Sequence, residues 1–411
     1  MAISVDGQTM VVGYSGYWAD ASSLGYAKVY RKDHELWTQL GRTLNTNYWT
    51  CGTDVAVSMS ADAKSLAICY VEYTDLPGVV QIYEWSEAAK SYEELGKPLK
   101  GEGGLDMFGY SLSFSANGTT LAIGAKGSDQ PGYVKVYGRT EDAVWNLDDK
   151  GVRNSCLDTP CYYQQLGKKL TSKIDRDQFG ESVSLSADAL TLAVGASNKY
   201  DRSSPGYVNI FERKTGISNY TQLGQSISGD AGGGAFGSSV SLSDNGDILA
   251  VGSPDNDVHG IDSGCVQVYE RDRATSNYKQ LGQSLFGEQV KGNFGSQVSL
   301  SSNGMVLAIG ADGDGGLTAT SDGHVKVFAW DDVAYKQLGQ SLRGEPHVDL
   351  FGNSLSLSGD GQILAIAAPH TDGDHVDSGE VKVFNNKLLP NVFNSKPPSA
   401  KPTNEVRYQT I

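Results

Sequence analysis

The sequence of residues 179–224, FGESVSLSADALTLAVGASNKYDRSSPGYVNIFERKTGISNYTQLG, contains four short apolar runs separated by polar turns. The runs lie at 182–186, 192–196, 207–211 and 220–224, and small or polar residues alternate in them with larger apolar ones. Alternation over such short lengths, bounded by Gly, Asp and Asn, indicates β-strands and not helices. This stretch therefore predicts four antiparallel strands.

The same pattern recurs along the whole chain of 411 residues. Its copies begin at Cys51-Gly52, Phe108-Gly109, Phe179-Gly180, Phe236-Gly237, Phe294-Gly295 and Phe351-Gly352, in steps of 57, 71, 57, 58 and 57 residues. A further copy opens the chain, because residues 1–7 align with residues 183–189. A constant period of this length is typical of a repeat architecture.

Seven units of four antiparallel strands predict an all-β fold, a seven-bladed β-propeller formed by one domain over residues 1–411. The expected blades are approximately 1–50, 51–107, 108–178, 179–235, 236–293, 294–350 and 351–411. Residues 385–407 are rich in Pro and polar residues and are expected to form a loop or linker within the last blade. The Phe that opens each unit is expected in the core.

The unit Phe-Gly-x-Ser-Val-Ser-Leu-Ser, followed by Leu-Ala-Val-Gly-Ala and Gly-x-Val-x-Val-Tyr, resembles the FG-GAP repeat of the integrin α-subunit propeller. The resemblance covers essentially the whole chain. It implies an extracellular or cell-surface propeller used for adhesion or ligand binding. Integrin calcium loops lie between the first two strands, but here those turns are short, as at 243–247 and 358–361. The integrin calcium sites are therefore not carried over to these turns.

Lys and Arg number 33 against 48 Asp and Glu, which gives a net charge of −15 and argues against a nucleic-acid partner or direct membrane insertion. No signal peptide or membrane span is visible in the sequence. We expect a monomer or a domain of a larger surface protein. Cys156 and Cys161 lie in the insertion that lengthens the third unit, and a local disulfide between them is expected if the chain is secreted.

Asp-rich loops follow the second strand of the last three units. The candidate metal ligands are Asp255, Asp257, Asp262, Asp312, Asp314, Asp372, Asp374 and Asp377. Carboxylates at alternating positions beside a Gly can converge on one hard cation, so Ca²⁺ is the expected cofactor and no organic cofactor is expected. The alternative is that Asp and Gly only form β-turns here.

A protein or glycan ligand is expected on the same face of the propeller. The candidate ligand-binding residues are Tyr17, Trp18, Tyr73, Tyr200, Glu288 and Glu345. Exposed aromatic rings could stack on a sugar or a side chain. The alternative is that these rings cover loop backbone or pack between blades.

The function predicted from the sequence is a non-enzymatic binding or adhesion module that uses the Asp-rich loop face, with cation dependence. No nucleophile, zinc-protease or phosphate-loop motif appears in the sequence, and no catalytic residue is selected. Two alternatives stay open: a metal-assisted polysaccharide lyase or hydrolase on a propeller scaffold, and a passive structural repeat of a large surface protein. Catalysis breaks symmetry at one place, and these units remain alike, which argues against an enzyme. The first three units are the most irregular, so a unique site is expected there.

Overall fold

The structure is a computed structural model. It describes residues 1–14, 25–34, 36–45, 55–70, 77–128, 130–140, 162–172, 174–201, 203–230, 233–313, 323–344, 350–371 and 379–385, and the backbone of 408–410. All regular elements in these ranges are strands. Within them, no helix is long and apolar enough to span a membrane.

The first three blades comprise strands β1 to β15. Blade one contains β1 (Ala2–Ile3), β2 (Thr9–Tyr14), β3 (Tyr26–Asp33), β4 (Leu36–Gln39) and β5 (Leu44–Asn45). Blade two contains β6 (Val57–Met59), β7 (Ser65–Tyr70), β8 (Val79–Ser86), β9 (Ser91–Glu94) and β10 (Leu99–Lys100). Blade three contains β11 (Phe108–Phe114), β12 (Thr120–Ala125), β13 (Tyr133–Arg139), β14 (Tyr163–Gln165) and β15 (Leu170–Thr171).

The last four blades comprise strands β16 to β34. Blade four contains β16 (Ser182–Leu185), β17 (Thr191–Ala196), β18 (Tyr207–Glu212), β19 (Thr221–Gln222) and β20 (Ile227–Ser228). Blade five contains β21 (Ser239–Leu242), β22 (Ile248–Ser253), β23 (Cys265–Asp272), β24 (Asn277–Gln280) and β25 (Leu285–Phe286). Blade six contains β26 (Phe294–Leu300), β27 (Val306–Ala311), β28 (His324–Trp330), β29 (Tyr335–Gln337) and β30 (Leu342–Arg343). Blade seven contains β31 (Ser354–Leu357), β32 (Ile363–Ala368), β33 (Glu380–Asn385) and β34 (Tyr408–Thr410).

Each blade is one antiparallel sheet in which the strands pair in chain order, from the innermost to the outermost. In six blades the outermost strand is split into two short pieces that both pair with the third strand, as β19 and β20 both pair with β18. The predicted all-β, seven-bladed propeller with four antiparallel strands per blade is confirmed. Among the described strands, none is shared between the first and the last blade.

The turns between the first and second strands lie on one face of the ring, which we call the turn face. In blade four, the Ser186 hydroxyl donates to Asp188 Oδ1 at 2.6 Å, and the Leu190 amide donates to the same oxygen at 2.9 Å. The same Ser–Asp or Ser–Asn bond occurs in the equivalent turn of every blade. The Asp and Asn side chains of these turns therefore serve the backbone, as Asx-turns do.

A closed ring of backbone hydrogen bonds joins the seven blades at the turn face. Each turn donates one N–H to the turn of the next blade, through Val5, Ala61, Ala116, Ala187, Asp244, Ser302 and Gly359, with N···O distances of 2.8 to 3.2 Å. The last of these bonds, from Gly359 N to Val5 O at 2.9 Å, closes blade seven onto blade one. Serine side chains add bonds between blades, as Ser184 Oγ accepts from Leu242 N at 2.9 Å. These bonds fix the vertical register of neighbouring blades.

The opposite face, which we call the crossover face, carries the loops between the second and third strands and the connections from blade to blade. Here neighbouring blades approach at two glycines. A Cβ on Gly195 would lie 2.0 Å from the carbonyl oxygen of Gly237 in the next blade. The same approach joins Gly124 to Gly180, where the distance would be 2.1 Å. Only glycine allows this contact.

The Phe that opens each unit lies between two blades, as predicted for a core residue. The five rings are 0 or 1% exposed, and each makes an edge-to-face contact with an aromatic residue of the third strand, as Phe294 does with Phe328 at 6.4 Å between ring centroids. The core assignment of these rings is confirmed.

Candidate functional site

The site begins with two repeat positions that the blade-to-blade contact places side by side on the crossover face. One position is the residue after Phe-Gly, at the start of the innermost strand. The other is the residue that follows the second strand of the preceding blade. The backbones of Gly124 and Gly180 are in close contact. Lys126, two residues after Gly124, and Glu181, one residue after Gly180, therefore face one another across the seam between blades three and four.

The sequence at these two positions differs from blade to blade. At the next three seams the pairs are Ser197 with Ser238, Pro254 with Ser296, and Asp312 with Asn353. Of the units that begin with Phe-Gly, only the fourth has a charged residue after the glycine, which is Glu181. Of the four seams compared, the seam of blades three and four is the one that pairs a basic residue with an acidic one.

Lys126 and Glu181 are both almost fully buried. Their side chains are 10% and 9% exposed, and Lys126 Nζ lies 3.9 Å from Glu181 Oε1. Lys126 Nζ also lies 3.5 Å from the centroid of the Tyr110 ring, which is a close cation–π contact. A buried ion pair at this distance is held in place by the blade scaffold on both sides and is only slightly open to solvent.

The carboxyl group of Glu181 is poorly solvated. Among the described residues its Oε2 atom has no hydrogen-bond partner. Burial raises the pKa of Glu181 above its ordinary value, while the ammonium group of Lys126 acts in the opposite direction. Lys199 also lowers this pKa and Asp255 raises it, but the net direction is upward. A carboxyl group of this kind holds its proton at a higher pH than a solvated glutamate does.

Further residues of the crossover face complete the surroundings of Glu181. Lys199 Nζ lies 3.7 Å from Asp255 Oδ1, and Asp255 is buried. Gln178 is buried as well, and its Oε1 atom accepts from Ser197 Oγ at 3.0 Å and from Lys199 N at 2.9 Å. The site therefore contains two carboxylates and two ammonium groups from three consecutive blades.

A buried carboxyl group with a raised pKa next to a fixed ammonium group can exchange protons and stabilise a developing negative charge. Glu181 and Lys126 are not among the site residues predicted from the sequence. The signal that could have found them is the comparison of equivalent positions across the repeats, where both residues are charged and their counterparts are mostly small or neutral.

The structure does not gather the predicted metal ligands of blade five into a metal site. Asp255 faces Lys199, and the exposed Asp257 accepts the Asp262 amide N–H at 2.7 Å, so it shapes its own loop. In the ranges that the structure describes, no group of three or more His, Cys, Asp or Glu side chains could hold a metal ion. Asp314, Asp372, Asp374 and Asp377 lie outside those ranges, so calcium binding there stays a prediction.

Asp312, another predicted metal ligand, lies at the seam of blades six and seven. Asn353 Nδ2 donates to its Oδ2 atom at 3.3 Å, and burial raises the pKa of Asp312. This pair occupies the same repeat positions as Lys126 and Glu181 but carries no cation.

Of the predicted ligand-binding residues, the structure describes Tyr200 and Glu288. Tyr200 is 69% exposed on the crossover face. Glu288 Oε1 lies 2.8 Å from Lys326 Nζ, in a salt bridge from a blade-to-blade connection to the third strand of the next blade. The equivalent salt bridge joins Glu102 to Lys135 at 3.1 Å. The recurrence indicates that Glu288 joins blades.

The remaining predicted residues cannot be placed, because Tyr17, Trp18, Tyr73, Glu345 and the cysteines 156 and 161 lie outside the described residues. Within the described residues, Cys69 and Cys265 are buried free thiols.

No protein-family model matches the chain, and no curated protein matches it. The structure is similar to the periplasmic gluconolactonase PpgL of Pseudomonas aeruginosa, with 15% identity, a TM-score of 0.60 and 92% of each chain covered. It is also similar to a Bacteroides uniformis protein assigned as a 6-phosphogluconolactonase, with 13% identity, a TM-score of 0.57 and 93% of each chain covered. A Bacteroides fragilis protein with the same assignment has 12% identity and a TM-score of 0.57, with 93% of this chain and 92% of that chain covered.

Two predictions from the sequence are corrected by these comparisons. The assignment to the FG-GAP repeat and integrin α-subunit family is wrong, because no family model matches and the three solved structures named above are a gluconolactonase and two proteins assigned as 6-phosphogluconolactonases. The prediction of a non-enzymatic adhesion module is wrong on the same findings, and the hydrolase alternative agrees with them better. The FG-GAP pattern misled because small residues and glycines at blade seams are what any closely packed propeller needs.

Proposed function

We propose that this protein is a hydrolase that opens a lactone or a related carboxylic ester at the seam of blades three and four. The observation that carries the proposal is the buried pair of Glu181 and Lys126, which places a carboxyl group beside an ammonium group at this seam. The names of the similar propellers, which include gluconolactonases, support this reaction class. Because their sequence identity to this chain is low, these structures support only the fold. The proposed reaction therefore rests on the geometry of the site.

In the proposed reaction, the ionised Glu181 carboxylate acts as the general base. It takes a proton from a water molecule while the water oxygen forms a bond to the lactone carbonyl carbon. The carbonyl oxygen becomes an oxyanion, which the ammonium group of Lys126 stabilises. The tetrahedral intermediate then breaks its bond to the ring oxygen, and the protonated Glu181 returns the proton to that oxygen. The product is a hydroxy acid, and the enzyme regains its starting state.

The surroundings of Glu181 suit this role. A general base works best when its pKa is close to the working pH, and burial moves the pKa of Glu181 upward in that direction. Lys126 is held by the Tyr110 ring, so its charge stays in one place during the reaction. Lys199 is about half exposed and could attract an anionic substrate or release an anionic product.

The test is the rate of acid release from glucono-δ-lactone, followed with a pH indicator and corrected for the spontaneous rate in buffer. We expect wild-type protein to accelerate the reaction and Glu181→Gln to lose about 100-fold or more of the acceleration. Glu212→Gln is the matched control, because Glu212 lies in the same blade and pairs with Arg271 at 2.7 Å. Wild-type protein that leaves the buffer rate unchanged, or an active Glu181→Gln variant, would overturn the proposal.

A further inference from the structure

Gln178 and Glu181 are the ends of one tight turn, since Glu181 N donates to Gln178 O at 2.9 Å. The same turn opens the other units that begin with Phe-Gly, and the residue at the position of Gln178 always has a positive φ, between 51° and 61°. At this position blades three, five and seven have Met107, Ala235 and Leu350. An amide side chain is therefore not needed to form the turn.

The hydrogen bonds of Gln178 determine the direction of the Ser197 hydroxyl group. The Lys199 backbone N–H can only donate, so the side-chain atom that it meets at 2.9 Å must be the amide oxygen of Gln178. The Ser197 hydroxyl lies 3.0 Å from the same oxygen and must donate to it as well. A hydroxyl group has one hydrogen, so Ser197 keeps only lone pairs for its other neighbours.

A hydrogen bond from the Ser197 hydroxyl to the ionised Glu181 carboxylate would lower the pKa of Glu181. With its hydrogen given to Gln178, Ser197 can accept a bond from a protonated Glu181 but cannot donate one to an ionised Glu181. The Glu181 Oε2 atom, which has no partner among the described residues, agrees with this arrangement. Hydrogen bonding to the neutral form of a carboxyl group favours that form.

We propose that Gln178 is a positioning residue, which holds the Ser197 hydroxyl hydrogen away from Glu181 and so keeps the carboxyl group ready to take a proton. The proposal rests on the function proposed above only for its catalytic meaning, because the effect on Glu181 can be measured without a substrate. The other charged groups that face Glu181 are Lys126 from blade three, Lys199 from blade four and Asp255 from blade five, and none of the tested substitutions replaces them.

The experiment is a titration of Glu181 by NMR on protein labelled with ¹³C at the glutamate side-chain carboxyl carbon. The Glu181 signal is assigned by its loss in Glu181→Gln. In Gln178→Met the Ser197 hydroxyl is free to donate to the carboxylate, and we expect the acid dissociation constant of Glu181 to rise about tenfold. Met is tolerated at this turn position in blade three, where Met107 has φ 53°.

The double variant Gln178→Met/Ser197→Ala separates this effect from a looser loop. It has no hydroxyl to donate, so the dissociation constant should return towards the wild-type value. Asn293→Met is the control for the turn itself, because Asn293 holds the equivalent position in blade six and should not affect Glu181. A dissociation constant unchanged in Gln178→Met, or a rise that persists in the double variant, would overturn the role of Gln178.

The hydrolysis assay gives a second reading if the proposed function holds. The rate should rise with pH as Glu181 ionises, and the acid limb of this profile should move to lower pH in Gln178→Met. Failure of wild-type protein to hydrolyse the lactone would refute the proposed function but leave the titration result intact. A titration effect of the expected size with an acid limb that does not move would show that Glu181 is not the base.

Discussion

Replacement of Phe294 by Ala tests whether the rings between blades hold the propeller together. Phe294 is 1% exposed and packs in a cluster that contains side chains of blades five and six, including Val266 and Ile309. Removal of a buried phenylalanine ring costs about 3–5 kcal/mol of folding free energy. Of this cost, about 0.5–1.5 kcal/mol comes from the lost edge-to-face contact with Phe328. We therefore expect Phe294→Ala to lower the free energy of unfolding by about 3–5 kcal/mol.

The assay is equilibrium unfolding in urea, followed by tryptophan fluorescence and by circular dichroism. Phe286→Ala is the matched control, because Phe286 is only partly buried and stacks on His259 at 4.4 Å between ring centroids. We expect this control to cost about 1–2 kcal/mol. Phe294→Leu keeps most of the buried volume and should lie between the two. If Phe294→Ala cost no more than Phe286→Ala, the seam packing described here would be refuted.

Two further predictions concern the charge and the closure of the ring. Because the pKa of Glu181 is raised in the folded state, its ionisation lowers stability as the pH rises from the ordinary glutamate range through the folded-state pKa. Glu181→Gln should therefore gain in melting temperature relative to wild type between about pH 4 and about pH 8, and a constant difference would contradict this. At one position of the innermost strand, a serine hydroxyl accepts a hydrogen bond from a backbone N–H of the next blade, as Ser356 accepts from Ile3 N at 3.1 Å. Blade one has Ala2 at this position. Ala2→Ser should raise the free energy of unfolding in urea by about 1 kcal/mol, and Ser356→Ala should lower it by a similar amount. An unchanged unfolding midpoint in both variants would contradict a stabilising role of this hydrogen bond.

The fold could be predicted from the sequence because the same four-strand pattern occurs in every repeat. Alternation in short runs gave the strands, and their constant spacing gave the ring. The Phe-Gly pair marked the start of each unit and predicted a core ring; the structure adds that Phe294 fills the seam between two blades and that Gly295 lets two backbones meet there. A single repeat would have left the choice between several sheet folds open.

The site could not be predicted in the same way, because its two main residues are a whole repeat apart in the chain. Lys126 and Glu181 meet only through the register of blade three against blade four. Their burial, which gives the carboxyl group its chemistry, depends on that contact and is not visible in either unit alone. The Asp-rich loops were predicted as a metal site instead, but the Asp257 carboxylate accepts a hydrogen bond from the backbone of its own loop.

The function was misjudged for a related reason. The pattern that resembles FG-GAP repeats consists of residues that close a propeller, so it reports architecture and is silent about chemistry. The informative residues are those that depart from the repeat, such as Glu181. The same consideration applies to Glu288, a predicted ligand-binding residue that pairs with Lys326 in a bond repeated between Glu102 and Lys135.

Every described sheet is formed from one unbroken stretch of chain, and the ring closes through the bond from Gly359 to Val5 without an exchanged strand. Many changes in a gene remove or copy a segment of the length of one repeat. In this protein such a change would delete or insert the equivalent of one complete blade. The number of blades can therefore change by recombination. The pair of Lys126 and Glu181 would be kept only when blades three and four stay next to one another.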